Sequence, residues 1–294
     1  MIREGDVVSG RYRIVAELGR GGMGLVHEAL DRETGEQVAL KRIKDRFNES
    51  DRRFREKWQE FKREIATSER LCSVPGIPRY RGAGEWHNTA YYVMDFVDGD
   101  TLDAACERNP RFKVQEVAAI GVGLATTLKA VHELKLVHRD VKPANIILGS
   151  NGEVHLVDLG ITTPAGRRAV STASRGYSPI EQTRSGVATP VVDVYGLGCT
   201  LIKAHLSVVP YGEDLQWNVG EIVYPVPERI QQRIAASLRS LLVSMVQRDA
   251  AQRPQSMAEV IERLTPLLPL PGSKPDPLAV QPDPTLKYRK LPHT

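Results

Sequence analysis

The apolar residues of this chain change their spacing near residue 100. Before that point, Tyr12, Ile14 and Ala16 alternate with polar residues, which is the pattern of a half-buried β-strand. Beyond it, an apolar stripe at helical spacing begins. Its members are Val117, Ile120, Leu124, Leu128 and Val131. Strands followed by helices indicate an α+β fold or two lobes.

The front third holds further strands and one helix. The additional strands are predicted at 26–30, 37–41, 79–84 and 90–96. Residues 34–36, Thr-Gly-Glu, suit a hairpin turn between two of them. Apolar residues at helical spacing within 42–70 predict one long amphipathic helix. Its basic surface is either a docking patch or simply a solvated helix face.

The overall composition is that of a globular protein and excludes several function classes. The 41% hydrophobic and 26% charged fractions are ordinary, and a net charge of +4 over 294 residues is too small for a nucleic-acid-tracking surface. Three widely spaced cysteines show neither a disulfide framework nor zinc-ligand spacing. We find no signal peptide and no apolar run of about 20 residues, so we expect a cytoplasmic protein without a membrane segment.

The C-terminal stretch differs in composition from the rest. Eight of the 19 prolines lie at residue 266 or later. We therefore predict that 269–294 is a flexible, proline-rich tail. A proline-rich ligand for a partner domain is the alternative.

A glycine-rich segment lies between two predicted strands. Gly19, Gly21 and Gly24 follow the spacing G-x-G-x-x-G, with Gly22 between them. Glycine allows a tight turn and a close approach of backbone N–H groups to phosphates. A dinucleotide-binding loop would open a helix, whereas the residues after Gly24 continue as a strand. A glycine-rich hairpin over phosphates is therefore predicted, with an ordinary turn as the alternative.

A lysine lies on the second predicted strand after this glycine-rich segment. Ala39 and Lys41 share one face of that strand because side chains alternate. Ala39 leaves room for a flat adenine ring, and Lys41 can reach phosphates. Lys41 needs a carboxylate to hold it, and the predicted helix offers Glu60 and Glu64, of which we favour Glu64. We expect Lys41→Ala to leave the fold intact, since it removes a charge from a surface cleft.

A polar run at 138–145 carries the most specific pattern of the chain. It is His-Arg-Asp-Val-Lys-Pro-Ala-Asn, and Val157-Asp158-Leu159-Gly160 follows it. The spacing H-R-D-x-K-x-x-N resembles the catalytic loop of the eukaryotic-type protein kinases, with the lysine of the Ser/Thr branch. The Gly-Gly-Met-Gly loop resembles the bacterial, Hanks-type members. The second motif resembles the metal-binding D-F-G, with Leu in place of Phe.

The resemblance covers about 10–268 and implies the architecture of that family. This is a bilobal fold with an antiparallel sheet and one helix in an N-lobe, 1–97, and a mainly helical C-lobe, 98–268. It also implies the reaction, which is ATP-dependent transfer of a phosphoryl group to Ser or Thr hydroxyls of proteins. ATP and Mg²⁺, with Mn²⁺ as an alternative, are the implied cofactors.

The resemblance also implies a role for individual residues. Asp140 would orient the acceptor hydroxyl and take its proton, and Lys142 would neutralise phosphate charge. Asn145 and Asp158 would bind the metal ion. The implied nucleotide-binding residues are Gly19, Gly21, Gly22, Gly24, Val26, Ala39, Lys41, Met94, Asp95, Val97 and Ile147. The implied structural residues are His138, Arg139, Glu181, Asp193 and Arg253, the last pairing with Glu181.

One region departs from the family pattern. Ser174 stands where threonine is usual, still offering a hydroxyl to Asp140 and Lys142, and the usual proline is displaced to Pro179. The peptide preference is therefore open. Arg139 implies control by phosphorylation, for which Ser171 and Thr172 are the expected autophosphorylation sites. Thr162, Thr163 and Ser174 are lesser candidates.

Three functions are compatible with the sequence. An active kinase is expected because Lys41, Asp140, Asn145 and Asp158 are all present. A pseudokinase, which would bind nucleotide or act as a scaffold, is the second. A small-molecule phosphotransferase is the third, and Lys142 argues against it. Protein substrates and a back-to-back or transient homodimer are the expected partners, and nucleic acid is not.

Overall fold

The computed structural model describes residues 2–20, 24–43, 52–168, 174–184, 186–210 and 226–290. The chain forms two compact units. The first consists of Met1–Ser73 and Ile77–Val97, and the second of Val74–Gly76 and Asp98–Thr294.

The first unit is an antiparallel sheet with one helix. Its elements are β1 Val7–Val8, β2 Tyr12–Arg20, β3 Gly24–Asp31, β4 Gln37–Ile43, α1 Arg52–Arg70, β5 Tyr80–Trp86 and β6 Thr89–Asp95. The strands are ordered β1-β2-β3-β4-β6-β5. The predicted hairpin turn lies between β3 and β4, where the Gly35 N–H donates to the Asp31 carbonyl and Gly35 has φ of 75°. The part of the predicted helix before residue 52 lies outside the described residues, except that 42 and 43 belong to β4.

The two faces of this sheet bury different clusters. Val38 and Leu40, two residues apart on β4, pack with Val93 in one cluster. Ile43 packs with Phe61 of α1 in the other cluster, which also contains Ala90 and Tyr92. The two-residue period of a strand thus assigns each side chain to one face. The second cluster holds α1 against the sheet.

The second unit is mainly helical, and the predicted α+β class is confirmed. Its strands are β7 Gly99–Thr101, β8 Leu136–Val137, β9 Ile146–Gly149, β10 Val154–Leu156 and β11 Thr163–Pro164. Its helices are α2 Leu102–Arg108, α3 Val114–Glu133, α4 Ile180–Arg184, α5 Pro190–Leu206, α6 Glu228–Gln231, α7 Ala236–Met245, α8 Met257–Leu264 and α9 Leu286–Arg289. The small sheets are β10-β9-β7 and β11-β8.

Helix α3 is the central helix of this unit. The residues of the predicted apolar stripe, from Val117 to Val131, are fully buried, and α3 packs against α5 and α8. By length and composition α3 is apolar enough to cross a membrane, whereas the expectation from the sequence was that no apolar run is long enough. Of the apolar stretch in α3, 67% is buried inside the structure. Its apolar surface is therefore used in the core of the fold.

The C-terminal segment differs from the predicted flexible tail. Val280 is 5% exposed, and its N–H donates to the buried Glu116 carboxylate of α3 at 3.0 Å. The Tyr288 hydroxyl donates to the Ala119 carbonyl at 3.3 Å. Gly152 has φ of +84°, and a Cβ there would lie 2.7 Å from the Leu286 Cβ. Composition predicted flexibility, but in the part of the segment that the structure describes, up to residue 290, Val280 and Tyr288 bind to α3.

A pair of substitutions distinguishes an attached segment from a flexible one. Val280→Asp is expected to lower the free energy of unfolding by about 2–4 kcal/mol, because it buries a second carboxylate beside Glu116. Leu278 is 80% exposed, so Leu278→Asp is the matched control, with an expected change below about 0.5 kcal/mol. Urea unfolding measures both. Equal effects of the two substitutions would contradict the packing of this segment on α3.

Candidate active site

A buried ion pair lies in the first unit. Lys41 of β4 donates to the carboxylate of Glu64 in α1, and the two residues are 5% and 1% exposed. The Tyr92 hydroxyl donates to the same carboxylate at 2.8 Å. Phe61, one turn before Glu64, packs on Tyr92 with 5.7 Å between the two ring centres. This contact orients α1 on the sheet. Of the two candidates predicted from the sequence, the structure therefore brings Glu64 to Lys41.

The glycine-rich segment joins two antiparallel strands. β2 ends at Arg20, β3 begins at Gly24, and Gly19 lies opposite Val26. A strand after the glycines excludes the dinucleotide-binding loop, which opens a helix. A Cβ at Gly24 would lie 2.3 Å from the Arg42 carbonyl oxygen, so only glycine fits there. Gly21 and Gly22 lie outside the described residues.

The remaining predicted nucleotide contacts of this unit lie on neighbouring strands. Val26 lies opposite Lys41, and Ala39 lies opposite Met94. Asp95 and Val97 follow Met94 at the end of the unit, and the Asp95 side chain forms an ion pair with Arg81. The Asp95 side chain is therefore engaged within the first unit.

Asp193 anchors the catalytic-loop segment of the second unit. Its carboxylate accepts the N–H groups of His138 and Arg139 at 2.9 and 2.7 Å, and it contacts His132 at 2.8 Å. Burial acts to raise the pKa of Asp193, but the hydrogen bond and charge interaction with His132, the charge interaction with His138 and the Arg139 N–H together outweigh it, and the pKa is lowered. A buried carboxylate that stays ionised is thus available to hold two backbone amides.

The Asp140 carboxylate is the centre of a polar group. Lys142 Nζ donates to one oxygen at 2.7 Å, and Asn145 Nδ2 donates to the same oxygen at 2.9 Å. The Ser174 hydroxyl donates to the other oxygen at 2.5 Å and accepts from Lys142 at 2.9 Å. The segment carrying Ser174 is thereby tied to the loop that carries Asp140 and Lys142.

Asn145 and Asp158 lie at the ends of a two-stranded segment. The Val157 N–H donates to the Asn145 carbonyl at 2.9 Å, and Ile147 of β9 pairs with His155 of β10 between them. Asp158 has φ of 64°, a left-handed conformation that turns the chain after β10. One carboxylate and one amide oxygen suit a hard divalent cation. Among the described ranges, no group of three or more His, Cys, Asp or Glu residues forms a metal cluster.

The predicted arginine–glutamate pair is also brought together. Arg253 donates to both oxygens of Glu181, at 2.5 and 3.2 Å. Its side chain is fully buried, and it also donates to the Gln247 carbonyl at 2.8 Å. The guanidinium lies 4.9 Å from the centre of the Tyr195 ring. Through this bidentate pair and a further bond to the Val191 carbonyl at 3.3 Å, the buried arginine links α4 to the start of α5.

The expected phosphorylation region is described only in part. Ser171 and Thr172 lie outside the described residues. Arg139 donates through Nη1 to the Thr163 hydroxyl at 3.2 Å. Its guanidinium is mostly buried, and this burial lowers the pKa of Arg139.

Several polar side chains of the site were not predicted. They are Tyr92, His132, Ser178 and Gln182, which are hydrogen-bonded to Glu64, Asp193, Ser174 and Arg139 respectively. His132 occurs within an apolar helical stretch, and that position was an available signal. Tyr92 and Gln182 contact residues 28 and 43 positions away. Ser178 contacts Ser174 four residues away, in a segment without helix or strand, and no spacing rule indicates any of these contacts.

Comparison with known proteins gives a consistent result. The family model described as the protein kinase domain matches residues 12–263. The probable serine/threonine-protein kinase CPE1738 of Clostridium perfringens is 30% identical, over 87% of this chain and 38% of that protein. Serine/threonine-protein kinase PknA of Mycobacterium tuberculosis is 31% identical, over 86% of this chain and 60% of that protein. This chain therefore matches less than two thirds of the length of these relatives.

Proposed function

Because this chain belongs to the protein kinase family, we propose that it transfers the γ-phosphoryl group of ATP to Ser and Thr hydroxyl groups of proteins. The observation that carries the proposal is the hydrogen-bonded group of Asp140, Lys142, Asn145 and Ser174. Phosphoryl transfer needs positioned groups and charge neutralisation more than covalent chemistry. This group supplies a carboxylate, a cation and a fixed hydroxyl in one place.

Each member of the group has a distinct part in the proposed reaction. Asp140 accepts the proton of the acceptor hydroxyl and orients it for attack. Lys142 neutralises charge on the transferring phosphoryl group. Ser174 holds both side chains when no acceptor is bound, since it contacts each of them. Lysine two residues after the aspartate favours Ser and Thr over Tyr acceptors.

The first unit supplies the proposed nucleotide contacts. Lys41 binds the phosphates and is held by Glu64, which keeps its ammonium group from moving freely. The glycines at 19, 21, 22 and 24 bring backbone N–H groups to the phosphates. The proposed adenine contacts are Val26, Ala39, Met94, Asp95 and Val97, together with Ile147 of the second unit.

We propose Mg²⁺, or Mn²⁺ as an alternative, as the metal ion. Asn145 and Asp158 would hold it, and when bound it neutralises the phosphates and orients them for transfer. The Asn145 amide nitrogen donates to Asp140, so its oxygen is the atom available for the cation. The donor set therefore fits a hard cation.

A transfer assay tests the proposed function. The purified chain is incubated with labelled ATP and a basic acceptor protein in Mg²⁺, in Mn²⁺ and with a chelator. We expect label on Ser and Thr in the presence of metal and none with the chelator. A chain that binds ATP without transferring label is the pseudokinase alternative. Label on a small-molecule acceptor, on Tyr or nowhere would also contradict the proposal.

Autophosphorylation is a separate proposal for the same protein. Ser171 and Thr172 are proposed as the sites, with Arg139 as the cation that holds the phosphate, in a back-to-back or transient homodimer. We propose the cytoplasm as its location, because ATP and protein acceptors occur there. Phosphosite mapping after incubation with Mg-ATP is expected to find phosphate at 171 or 172. Its absence from the whole of 161–178 would contradict this proposal.

A further inference from the structure

A buried polar relay runs from α4 to the catalytic-loop segment. Gln182 is 1% exposed, and its Nε2 donates to the Arg139 carbonyl at 3.0 Å and to the Ser178 hydroxyl at 3.3 Å. Ser178, 3% exposed, in turn accepts the Ser174 N–H at 2.9 Å. We call Gln182, Ser178 and these three hydrogen bonds the Gln182 relay. It reaches the backbone on both sides of the Asp140–Ser174 hydrogen bond.

The peptide group between Arg139 and Asp140 is held at both ends. Its carbonyl accepts from Gln182, and its N–H donates to His138 Nδ1 at 3.3 Å. Arg139 has φ of 73°, a left-handed conformation that is unfavourable for a side-chain-bearing residue. Such a conformation persists only when its surroundings determine it. Asp193 holds the two preceding N–H groups, and Gln182 holds the carbonyl that directly precedes Asp140.

The other end of the relay fixes the partner of Asp140. Ser178 accepts the backbone N–H of Ser174, and the Ser174 hydroxyl donates to Asp140. Since Gln182 donates to both Ser178 and the Arg139 carbonyl, one amide group sets the relative position of the two chain segments. An amide with two hydrogens can make both bonds, and an apolar side chain of the same length can make neither.

We propose that Gln182 is a positioning residue for phosphoryl transfer, acting through the Arg139 carbonyl and through Ser178 on the geometry of Asp140 and Ser174. The expected effect of Gln182 on the reaction rate rests on the proposed function, whereas its expected effect on the structure does not. A small displacement of a catalytic carboxylate costs about 10- to 100-fold in rate. The described hydrogen bonds of the relay join Gln182, Ser178, Ser174 and Arg139, which all belong to the second unit. We therefore expect its loss to lower kcat and to leave KM for ATP within about twofold.

A matched pair of substitutions tests the relay. Gln182→Met removes the amide with little change in volume, and we expect kcat to fall about 10- to 100-fold. Gln231 of α6 donates to the Val226 carbonyl at 2.6 Å, so Gln231→Met loses a comparable bond elsewhere in the same unit. We expect that control to keep wild-type kcat after correction for the folded fraction. Wild-type kcat in Gln182→Met, or an equal loss in both variants, would overturn the proposal.

A second variant covers the case in which Gln182→Met does not fold. Ser178→Ala removes only a hydroxyl, and we expect kcat to fall about 3- to 10-fold. In the double variant Ser178→Ala/Ser174→Ala, the losses should be less than additive, because both act on the same Asp140 geometry. Additive losses, or wild-type kcat in Ser178→Ala, would overturn the relay.

Hydrogen exchange tests the effect of the relay on the structure, and this measurement does not require the protein to be catalytically active. We expect Gln182→Met, or Ser178→Ala in its place, to speed exchange of the amides at 138–141 and at Ser174. Gln231→Met should leave those amides at the wild-type rate. Unchanged exchange in the relay variants would overturn the proposal even if the wild-type protein transferred no phosphate. An inactive wild-type protein with faster exchange in the relay variants would instead contradict the proposed function and support the relay.

Discussion

Asp140→Asn is expected to lower kcat for phosphoryl transfer by about 10²- to 10⁴-fold, the range for loss of a positioned general base. Asparagine has nearly the same size as aspartate; its one oxygen can still accept from Lys142, and its NH₂ group can donate to the Ser174 hydroxyl. It has no carboxylate to take the acceptor proton. We therefore expect the folded structure and ATP binding to survive while transfer fails.

The control for this substitution is an aspartate on the surface of the same unit. Asp100 pairs with Arg108, and both side chains are about half exposed, at 48% and 49%. Asp140, by comparison, has a side chain that is 13% exposed and three polar partners. Asp100→Asn should keep wild-type kcat, because exposed pairs contribute only about 0–1 kcal/mol to stability. Equal label transfer by Asp140→Asn and the wild type would remove the basis of the proposed mechanism.

Lys41→Ala is expected to abolish detectable transfer and also to destabilise the protein by about 3–5 kcal/mol. This differs from the expectation drawn from the sequence, which was an intact fold. The difference arises because Lys41 and Glu64 are 5% and 1% exposed. Removing the lysine leaves a buried carboxylate without its cation, with the Tyr92 hydroxyl still donating to it. Ionised groups of this kind are costly to bury without a counter-charge.

A double substitution separates the two effects. Lys41→Met/Glu64→Gln removes both charges and keeps the side-chain volumes, so we expect most of the stability to return. Transfer should stay absent, because the cation for the phosphates is gone. Urea unfolding gives the stability, and labelled ATP gives the transfer. Wild-type stability of Lys41→Ala would show that the buried pair does not stabilise the fold, and transfer by the double variant would exclude Lys41 from the reaction.

The sequence was informative wherever chemistry or local spacing controls the outcome. Alternation at Tyr12, Ile14 and Ala16 predicted a strand, and the stripe from Val117 to Val131 predicted the buried side of α3. Both follow from the periods of a strand and a helix, which are properties of the backbone. The run at 138–145 pointed to one family because its residue types and spacing together are specific.

The sequence was less informative where the outcome depends on contacts between distant segments. The proline-rich composition of 269–294 predicted a flexible tail, yet Val280 and Tyr288 contact α3. Composition states how much apolar surface a segment carries, and it does not state whether a matching surface exists elsewhere. The same reason explains why Gln182 was missed, since it contacts the Arg139 carbonyl 43 positions away.

By itself, the sequence determined the α+β class, the kinase family and the residue types available for phosphoryl transfer. Only the tertiary structure decided which of these residues are buried and what holds them. Lys41 changes from a cleft charge to half of a buried pair, and Gln182 from an unremarked polar residue to a contact of the Arg139 carbonyl. The physical reason is that periodicity and motif spacing act over a few residues, whereas burial and hydrogen bonding join residues that are 23 and 43 positions apart.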